Sequence, residues 1–196
     1  SISNDFNQLS LNADLALAAG IVPPSVPVSF NGQAGRLTIK LGGPLAEPQG
    51  DINLIVPALT TSGEAFKNVN LLSHMTWQQN KAGKNVVLQL QNTGKFDWRN
   101  DHYRLNADIG LPTSGLQVSN IKLAGKHIDM TGNISLPGNA VPLRGNIALT
   151  RLDAVMAQGF GVPFANGLIT ANADFSGKNA AQHIAARLSA KGLRIV

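Results

Sequence analysis

Four histidines are the side chains of this sequence best suited to acid–base or metal chemistry, and they lie far apart along the chain. They are His74, His102, His127 and His183, each on a polar position of its segment or beside a loop. A metal site or a catalytic base needs two or three suitable groups close together. The sequence contains no cysteine, which excludes thiolate metal sites and disulfides. We therefore predict surface histidines and expect neither a metal nor another cofactor.

Three aspartates near His102 are the closest approach to an acid–base group. Asp97, Asp101 and Asp108 fall within a short segment, but strand alternation would distribute them over a loop and a strand without a further partner. The P-loop, GxSxG and HExxH patterns are all missing from the sequence. We predict that the chain is not an enzyme and has no catalytic residues.

The positive charge of the chain is dispersed along the sequence. The formal net charge is +5 and the isoelectric point is about 9.8, yet only 14% of the residues are charged. The cations occur one at a time, at Arg36, Lys40, Lys67, Lys84, Lys95, Arg104, Lys122 and Arg144. Binding along a phosphate backbone requires grouped cations, so no nucleic-acid partner is expected.

Alternation of apolar and polar residues with a period of two is the dominant pattern. In segment 36–41, for example, Leu37, Ile39 and Leu41 alternate with polar side chains. This periodicity predicts an all-β protein built from antiparallel strands that each place one apolar row on the same side. The predicted lining of that side consists of Leu37, Ile39, Leu41, Ile52, Leu54, Val56, Val86, Leu88, Leu90, Leu105, Ala107, Ile109, Ile128, Met130, Ile134, Leu136, Ile147, Leu149, Ala171, Ala173 and Phe175.

Turn signals and one change of parity divide the strands. The dipeptides Asn31-Gly32 and Asn166-Gly167 predict turns. The short, even spacing of strands and turns along the chain favours an antiparallel meander. Between Leu116 and Leu123 the apolar residues switch from even to odd positions. Such a switch predicts a β-bulge, because one extra residue restores the original side.

Two segments show helical spacing and predict short helices, Asn12–Gly20 and Leu152–Gly159. Each lies in one copy of an apparent internal repeat, with related units at about 9–59 and 147–193. Segment 179–191 has a helical apolar pattern of its own, but it corresponds to a strand in the first unit, so we predict a strand there. The chain is expected to be a single fragment of a longer repeat array.

The apolar rows are compatible with two architectures. In a sandwich, two sheets press their apolar faces together and close the core. In an elongated, curved sheet the same residues line an open groove. Aromatic residues make up only 5% of the chain, although sandwich cores usually contain several for bulk. Alternation alone favours the sandwich; the scarcity of aromatics favours the groove.

The repeat units resemble a known family. Residues 35–71 read GRLTIKLGGPLAEPQGDINLIVPALTTSGEAFKNVNL, and residues 143–195 read LRGNIALTRLDAVMAQGFGVPFANGLITANADFSGKNAAQHIAARLSAKGLRI. Both segments share a cadence of apolar alternation, a proline or glycine turn and a second short strand. This cadence resembles the repeats of the TamB family in the AsmA-like superfamily of diderm bacteria. The likeness is weakest from about Trp77 to Ile121.

The resemblance implies a fold, a location and partners. TamB-like chains form a rolled sheet with an apolar concave side, the β-taco, in periplasmic proteins anchored in the inner membrane. An anchor would here lie outside the given segment. The family belongs to the translocation and assembly module, with the outer-membrane barrel TamA as partner of the full-length protein. It is associated with phospholipid transport between inner and outer membranes, with protein secretion and with outer-membrane biogenesis.

Three functions follow as hypotheses. In the first, the chain presents an apolar groove to phospholipid acyl chains without any chemistry. In the second, the groove or an exposed strand edge receives unfolded strands of outer-membrane proteins, as a chaperone does. In the third, the repeats form a passive structural element with a closed core. A conduit requires apolar residues in every strand, whereas a peptide groove tolerates polar positions.

Overall fold

Nearly all of the described chain is β-strand. The computed structural model describes residues 7–17, 28–30, 35–61, 64–79, 86–112, 115–137, 143–157, 164–178 and 181–195. About 90% of these residues are in strands, and within them one short helix, α1 (Ala154–Ala157), is present. The predicted all-β antiparallel fold is confirmed.

The strands follow one another along the chain with short connections. Their bounds are β1 (Gln8–Leu17), β2 (Val28–Phe30), β3 (Gly35–Pro44), β4 (Gln49–Thr61), β5 (Glu64–Gln79), β6 (Val86–Trp98), β7 (Asp101–Leu111), β8 (Gly115–Ala124), β9 (Ile128–Pro137), β10 (Arg144–Asp153), β11 (Phe164–Lys178) and β12 (Ala181–Ile195).

These strands form a single open sheet rather than two packed sheets. Eleven of them form one antiparallel ladder in the order β1-β3-β4 and then consecutively to β12. The short strand β2 pairs with Leu59–Thr61 of β4, in line with β3, which pairs with Gln49–Ile55. In this ladder β1 and β12 are the outer strands. The two-sheet sandwich considered above is therefore wrong.

Burial follows the pleat that the sequence pattern indicates. In β7, Tyr103, Leu105 and Ala107 are more buried than the intervening His102 and Arg104. Successive side chains of a strand point to opposite sides of a sheet, so the apolar residues of one strand share one side. The observed alternation gives the sheet an apolar face and a polar face.

The predicted bulge in β8 is confirmed. The register of β8 against β9 shifts between Val118 and Ile121, and Asn120 has a φ of 53°. Asparagine tolerates this left-handed conformation better than most residues do. The extra residue keeps Val118 and Ile121 on the same side of the sheet, although their sequence positions differ in parity.

The first predicted helix is wrong within the described residues. Asn12–Leu17 belong to β1, which pairs with β3 from Gln8 to Leu17. The same segment also alternates with a period of two, and pairing with β3 provides backbone partners that a short isolated helix could not supply. Residues 18–20 lie outside the described ranges. The first repeat unit thus lacks the helix predicted for positions 12–17.

The second predicted helix is present but shorter than expected. Helix α1 spans Ala154–Ala157, whereas Leu152 and Asp153 remain in β10. Residues 158–159 lie outside the described ranges. The strand predicted for segment 179–191 is confirmed from residue 181 onward, because Ala181–Ile195 form β12. The relation between segments 9–59 and 147–193 as repeat units stays a prediction.

One predicted turn is wrong and another cannot be placed. Asn166 and Gly167 lie within β11, where the pairing with β12 shifts register and Gly167 has a φ of 129°. This conformation favours glycine and accommodates an irregularity in the ladder rather than a chain reversal. Asn31-Gly32 lies outside the described residues.

Candidate functional site

The apolar face extends across the whole ladder. Residues that pair directly on neighbouring strands point to the same side, so the register defines rows that run across the sheet. The first row is Leu15, Leu37, Leu54, Leu71, Gly94, Leu105, Leu123, Met130, Leu149, Ala171 and Leu188. Every one of the eleven strands contributes a nonpolar residue to it.

A second row, displaced along the strands, is also nonpolar throughout. It consists of Leu11, Leu41, Gly50, Met75, Leu90, Ile109, Val118, Ile134, Gly145, Phe175 and Ile184. The bulge in β8 is needed for this alignment, because it returns Val118 to the side that also carries Leu123. Two complete apolar rows therefore cross the sheet in parallel.

Between these rows, the apolar face contains one polar break. Ser73 and Asn92 are directly opposite each other on β5 and β6. The Asn92 Nδ2 group donates to the backbone oxygens of Leu90 at 3.1 Å and Ala107 at 3.0 Å. The amide donor is thus used within the sheet, whereas the Ser73 hydroxyl is buried without a partner. The middle of the face is not uniformly apolar.

Burial on the apolar face is highest toward one end of the strands. Val56 and Tyr103 are 0% and 1% exposed, and Met156 of α1 packs with Tyr103 and Ile128. Toward the opposite end of the strands, Trp77, Leu111 and Leu136 are exposed large side chains. One long side of the face is therefore covered and the other is open.

Four aromatic rings consolidate the covered side. Phe66, Phe96, Trp98 and Tyr103 form successive ring contacts, with centroids 5.4 to 6.1 Å apart. Offset and edge contacts of this kind stabilise by about 0.5–1.5 kcal/mol beyond the area that they bury. Burial raises the pKa of Tyr103 to about 12. The ring remains a neutral packing element at physiological pH.

An ion pair borders this aromatic cluster. The Arg99 guanidinium lies 4.9 Å from the centroid of the Trp98 ring and forms a salt bridge to Glu64. Hydrogen bonds from Arg99 and from the Trp98 indole hold the pKa of the Glu64 carboxyl below its ordinary value. Cation–π and charge-assisted contacts thus hold the chain at the β6–β7 turn.

The two outer strands expose their apolar residues most. Leu15 in β1 is 48% exposed, and Ile184 and Leu188 in β12 are 61% and 74% exposed. The first-row residues on the inner strands, such as Leu54 and Leu105, are only partly exposed. Each inner strand is shielded by two neighbours, whereas an outer strand has one.

The structure places the predicted lining residues on a single face. Of the predicted positions, all whose side chains are described lie on the apolar face; the side chain of Val86 lies outside the description. Their role as the lining of a ligand groove stays a prediction. The prediction missed the aromatic cluster and the residues of β1. Alternation of Leu9, Leu11, Ala13, Leu15 and Leu17 was the signal that could have identified β1.

Three of the four histidines each pair with one aspartate, and the fourth, His183, is exposed on β12. His74 contacts Asp51 at 2.8 Å, His127 contacts Asp153 at 2.8 Å, and His102 contacts Asp97. No group of three or more histidine and carboxylate side chains suited to a metal ion occurs within the described ranges. Asp101 is separate from Asp97: it is buried and accepts hydrogen bonds from the backbone amides of His102 and Lys126 at 2.8 Å.

Comparisons of the chain with family models, curated proteins and solved structures find no match. Among the described residues, no helix has the length and apolar character needed to cross a membrane. The arguments about function therefore depend on the apolar face and its geometry.

Proposed function

We propose that the chain is a non-enzymatic lipid-binding element whose apolar face accommodates phospholipid acyl chains. The observation that supports this proposal is the continuity of the two apolar rows through all eleven strands of the ladder. Each row offers an acyl chain a nonpolar wall, and each methylene transferred to it from water contributes about 0.8 kcal/mol. The partial exposure of the inner strands leaves this wall accessible from one side.

The biological setting of the proposal comes from the sequence resemblance. In the TamB family such a surface would carry phospholipid between the inner and outer membranes. The chain would be periplasmic, anchored in the inner membrane by a segment outside it, and would reach the outer-membrane barrel TamA through the full-length protein. The open single sheet is compatible with the β-taco that this resemblance implies.

A crosslinking experiment tests lipid binding directly. A photoreactive amino acid at Leu123, on the apolar face, should crosslink to phospholipid in cells that express the full-length protein. Met130→Asp places a carboxylate directly opposite Leu123 and should abolish this crosslink, because a charge is strongly disfavoured beside acyl chains. Leu88→Asp should have the same effect on a photoreactive residue at Leu111, its partner on β7.

The matched control is the neighbouring residue, whose side chain points to the opposite face of the sheet. Thr131 follows Met130 but is exposed on the polar face, so Thr131→Asp should retain the crosslink. A photoreactive residue at Asn106, also on the polar face, should give no lipid adduct. Absence of lipid crosslinks from every apolar-face position of the parent protein would refute the proposal.

The polar break favours a second candidate function, the binding of unfolded outer-membrane protein strands. Ser73 supplies a hydroxyl that has no partner within the sheet, and a peptide can hydrogen-bond to such a group whereas an acyl chain cannot. The double substitution Ser73→Val with Asn92→Leu separates the two functions. Under lipid binding, the crosslinks to phospholipid persist or increase. Under peptide binding, capture of an unfolded outer-membrane protein decreases while lipid crosslinks stay absent.

A further inference from the structure

The polar face brings two cations into direct opposition. Lys95 on β6 pairs in register with Arg104 on β7, and both side chains are exposed. Directly opposite residues have their Cβ atoms about 5 Å apart, and like charges there are destabilising. The sequence disperses these cations, but the pairing of β6 with β7 makes them neighbours.

A third cation lies close to this pair, and the two nearby carboxylates are hydrogen-bonded to other side chains. Lys122 on β8 is directly opposite Asn106 and therefore diagonal to Arg104. The nearby carboxylate of Asp97 already accepts hydrogen bonds from Asn68 and His102, and that of Asp108 accepts one from Asn120. Among the described residues, no ion pair involves Lys95, Arg104 or Lys122.

The surface between these side chains is concave. A groove of about 390 Å³ is bordered by Lys95 and Arg104 and also by Asn70, Thr93 and Asn106. Amide and hydroxyl groups can donate hydrogen bonds to an anion beside the two cations, and a guanidinium binds a phosphate in bidentate fashion. The volume lies within the range typical of small-molecule sites, about 300–1,000 Å³.

We propose that this groove on β5–β7 binds a phosphate monoester or diester. The anion relieves the repulsion between Lys95 and Arg104, so binding stabilises the folded state. The site faces away from the apolar rows and does not depend on the proposed binding of acyl chains. A lipid headgroup and a soluble phosphorylated compound share the chemistry that the groove recognises.

The first test is thermal unfolding of the full chain with glycerol 3-phosphate at constant ionic strength, balanced with sodium chloride. The parent should show a midpoint that rises with ligand concentration, as expected when a ligand binds only the folded state. Lys95→Gln and Arg104→Gln should each weaken binding at least tenfold. Without phosphate, these variants should be at least as stable as the parent, because they remove the like-charge contact.

Lys191→Gln is the matched control, since it removes one positive charge from the exposed strand β12. It should bind as the parent does. If Lys191→Gln weakened binding as much as Lys95→Gln does, the effect would be general charge screening and the proposal would be overturned. A parent protein whose unfolding midpoint did not change with glycerol 3-phosphate would also overturn it.

The second test separates the two sources of phosphate. Sedimentation with vesicles of phosphatidylglycerol and phosphatidylcholine measures headgroup binding, and titration with glycerol 3-phosphate measures soluble binding. Binding that is lost in Lys95→Gln but kept in Lys191→Gln supports the site, whether it is measured with vesicles or with glycerol 3-phosphate. A variant-sensitive response to vesicles alone assigns the headgroup as the source, and a variant-sensitive response to the soluble compound alone assigns a free phosphate ester. A response that is insensitive to Lys95→Gln in both arms contradicts the proposal.

Discussion

At the scale of single residues, two histidine–aspartate pairs join neighbouring strands. Asp51 and His74 are directly opposite on β4 and β5, as are Asp97 and His102 on β6 and β7. A carboxylate opposite a histidine orients the ring but supplies no third group for catalysis or metal binding. The groups that first suggested chemistry therefore contribute to the pairing of strands.

The His102–Asp97 pair should make stability depend on pH in a defined window. The hydrogen bond with Asp97 raises the pKa of His102, and hydrogen bonds from Asn68 and His102 lower the pKa of Asp97. The stabilisation of the folded state by His102 is fully present below about pH 6.5, the pKa of an unfolded histidine. It is lost as the pH rises through the raised pKa of His102 in the folded state. The stabilisation by Asp97 is fully present above about pH 3.9, the pKa of an unfolded aspartate. It is lost as the pH falls through the lowered pKa of Asp97 in the folded state.

We therefore expect the stability difference between the parent and His102→Gln to be largest between about pH 4 and about pH 6.5 and to decrease on both sides. Urea unfolding across this range measures it. In an NMR titration, Asp97→Asn should return the pKa of His102 toward its ordinary value, whereas Asp174→Asn, remote on β11, should leave it unchanged. A His102 pKa that is identical in the parent and in Asp97→Asn would contradict the pairing.

Gly125 should be intolerant of a side chain because it lies against the Tyr103 ring. A Cβ at position 125 would lie 2.5 Å from Tyr103 Cδ1, and Tyr103 is only 1% exposed. Gly125→Ala is expected to destabilise the fold by about 1–3 kcal/mol, as overpacking in a core does. Chemical denaturation provides the measurement.

The control for Gly125→Ala is Gly110→Ala in β7. There the nearest atoms to a new Cβ are 3.9 Å away, so the substitution should be neutral or stabilise by about 0.4–1 kcal/mol through the unfolded state. Equal destabilisation by both substitutions would show that the Tyr103 contact does not determine the effect.

At the scale of elements, irregularities keep the apolar rows aligned. Shifts of register occur in β5 between Lys67 and Asn70, in β8 between Val118 and Ile121, and in β10 between Leu149 and Leu152. A slip by one residue turns every following side chain to the other face. The bulges thus compensate for breaks of parity that would otherwise expose leucine and isoleucine on the polar face.

Asn120 should be sensitive to β-branched substitution. Its φ of 53° is unfavourable for valine, and its side chain donates to Asp108 Oδ2 at 2.5 Å. Asn120→Val should reduce the free energy of unfolding by about 1–3 kcal/mol, since it combines backbone strain with a lost hydrogen bond. Asn120→Gly loses the same side-chain hydrogen bond without the strain and should be less destabilising. The reverse order in urea unfolding would exclude strain at the bulge.

At the scale of the whole molecule, the fold is a single sheet whose burial is graded. Val56 is 0% exposed, the central residue Leu105 is partly exposed, and Leu188 on the outer strand is 74% exposed. All three lie on the apolar face. A closed core would bury such residues to a similar extent, whereas an open face produces a gradient.

The same carboxylate placed at these three positions should have graded effects on stability. Leu188→Asp should cost less than about 0.5 kcal/mol, because the new charge is hydrated. Val56→Asp should cost about 3 kcal/mol or more, because a buried carboxylate loses its hydration. Leu105→Asp should fall between them and retain a cooperative transition. Thermal and urea unfolding measure the series, and equally severe losses at all three positions would refute an open face.

The sequence by itself determined the kind of structure, because period-two alternation is a local property of each strand. Alternation identified the residues of the apolar face, the change of parity before Leu123 predicted the bulge, and position in the repeat predicted strand β12. It failed at Asn12–Leu17, where helical and strand spacing coexist and pairing with β3 decides between them. It also failed at Asn166-Gly167, where the dipeptide typical of a turn lies within β11 and forms an irregularity in its pairing with β12.

Only the tertiary structure decided what lies beside what. That the apolar face belongs to one open sheet, that one side of it is covered by Tyr103 and α1, and that Ser73 lies opposite Asn92 all depend on register. The same holds for Lys95 and Arg104, which are nine residues apart in sequence but directly opposite in the sheet. Register is set by contacts between distant segments and by bulges, so no local pattern specifies it.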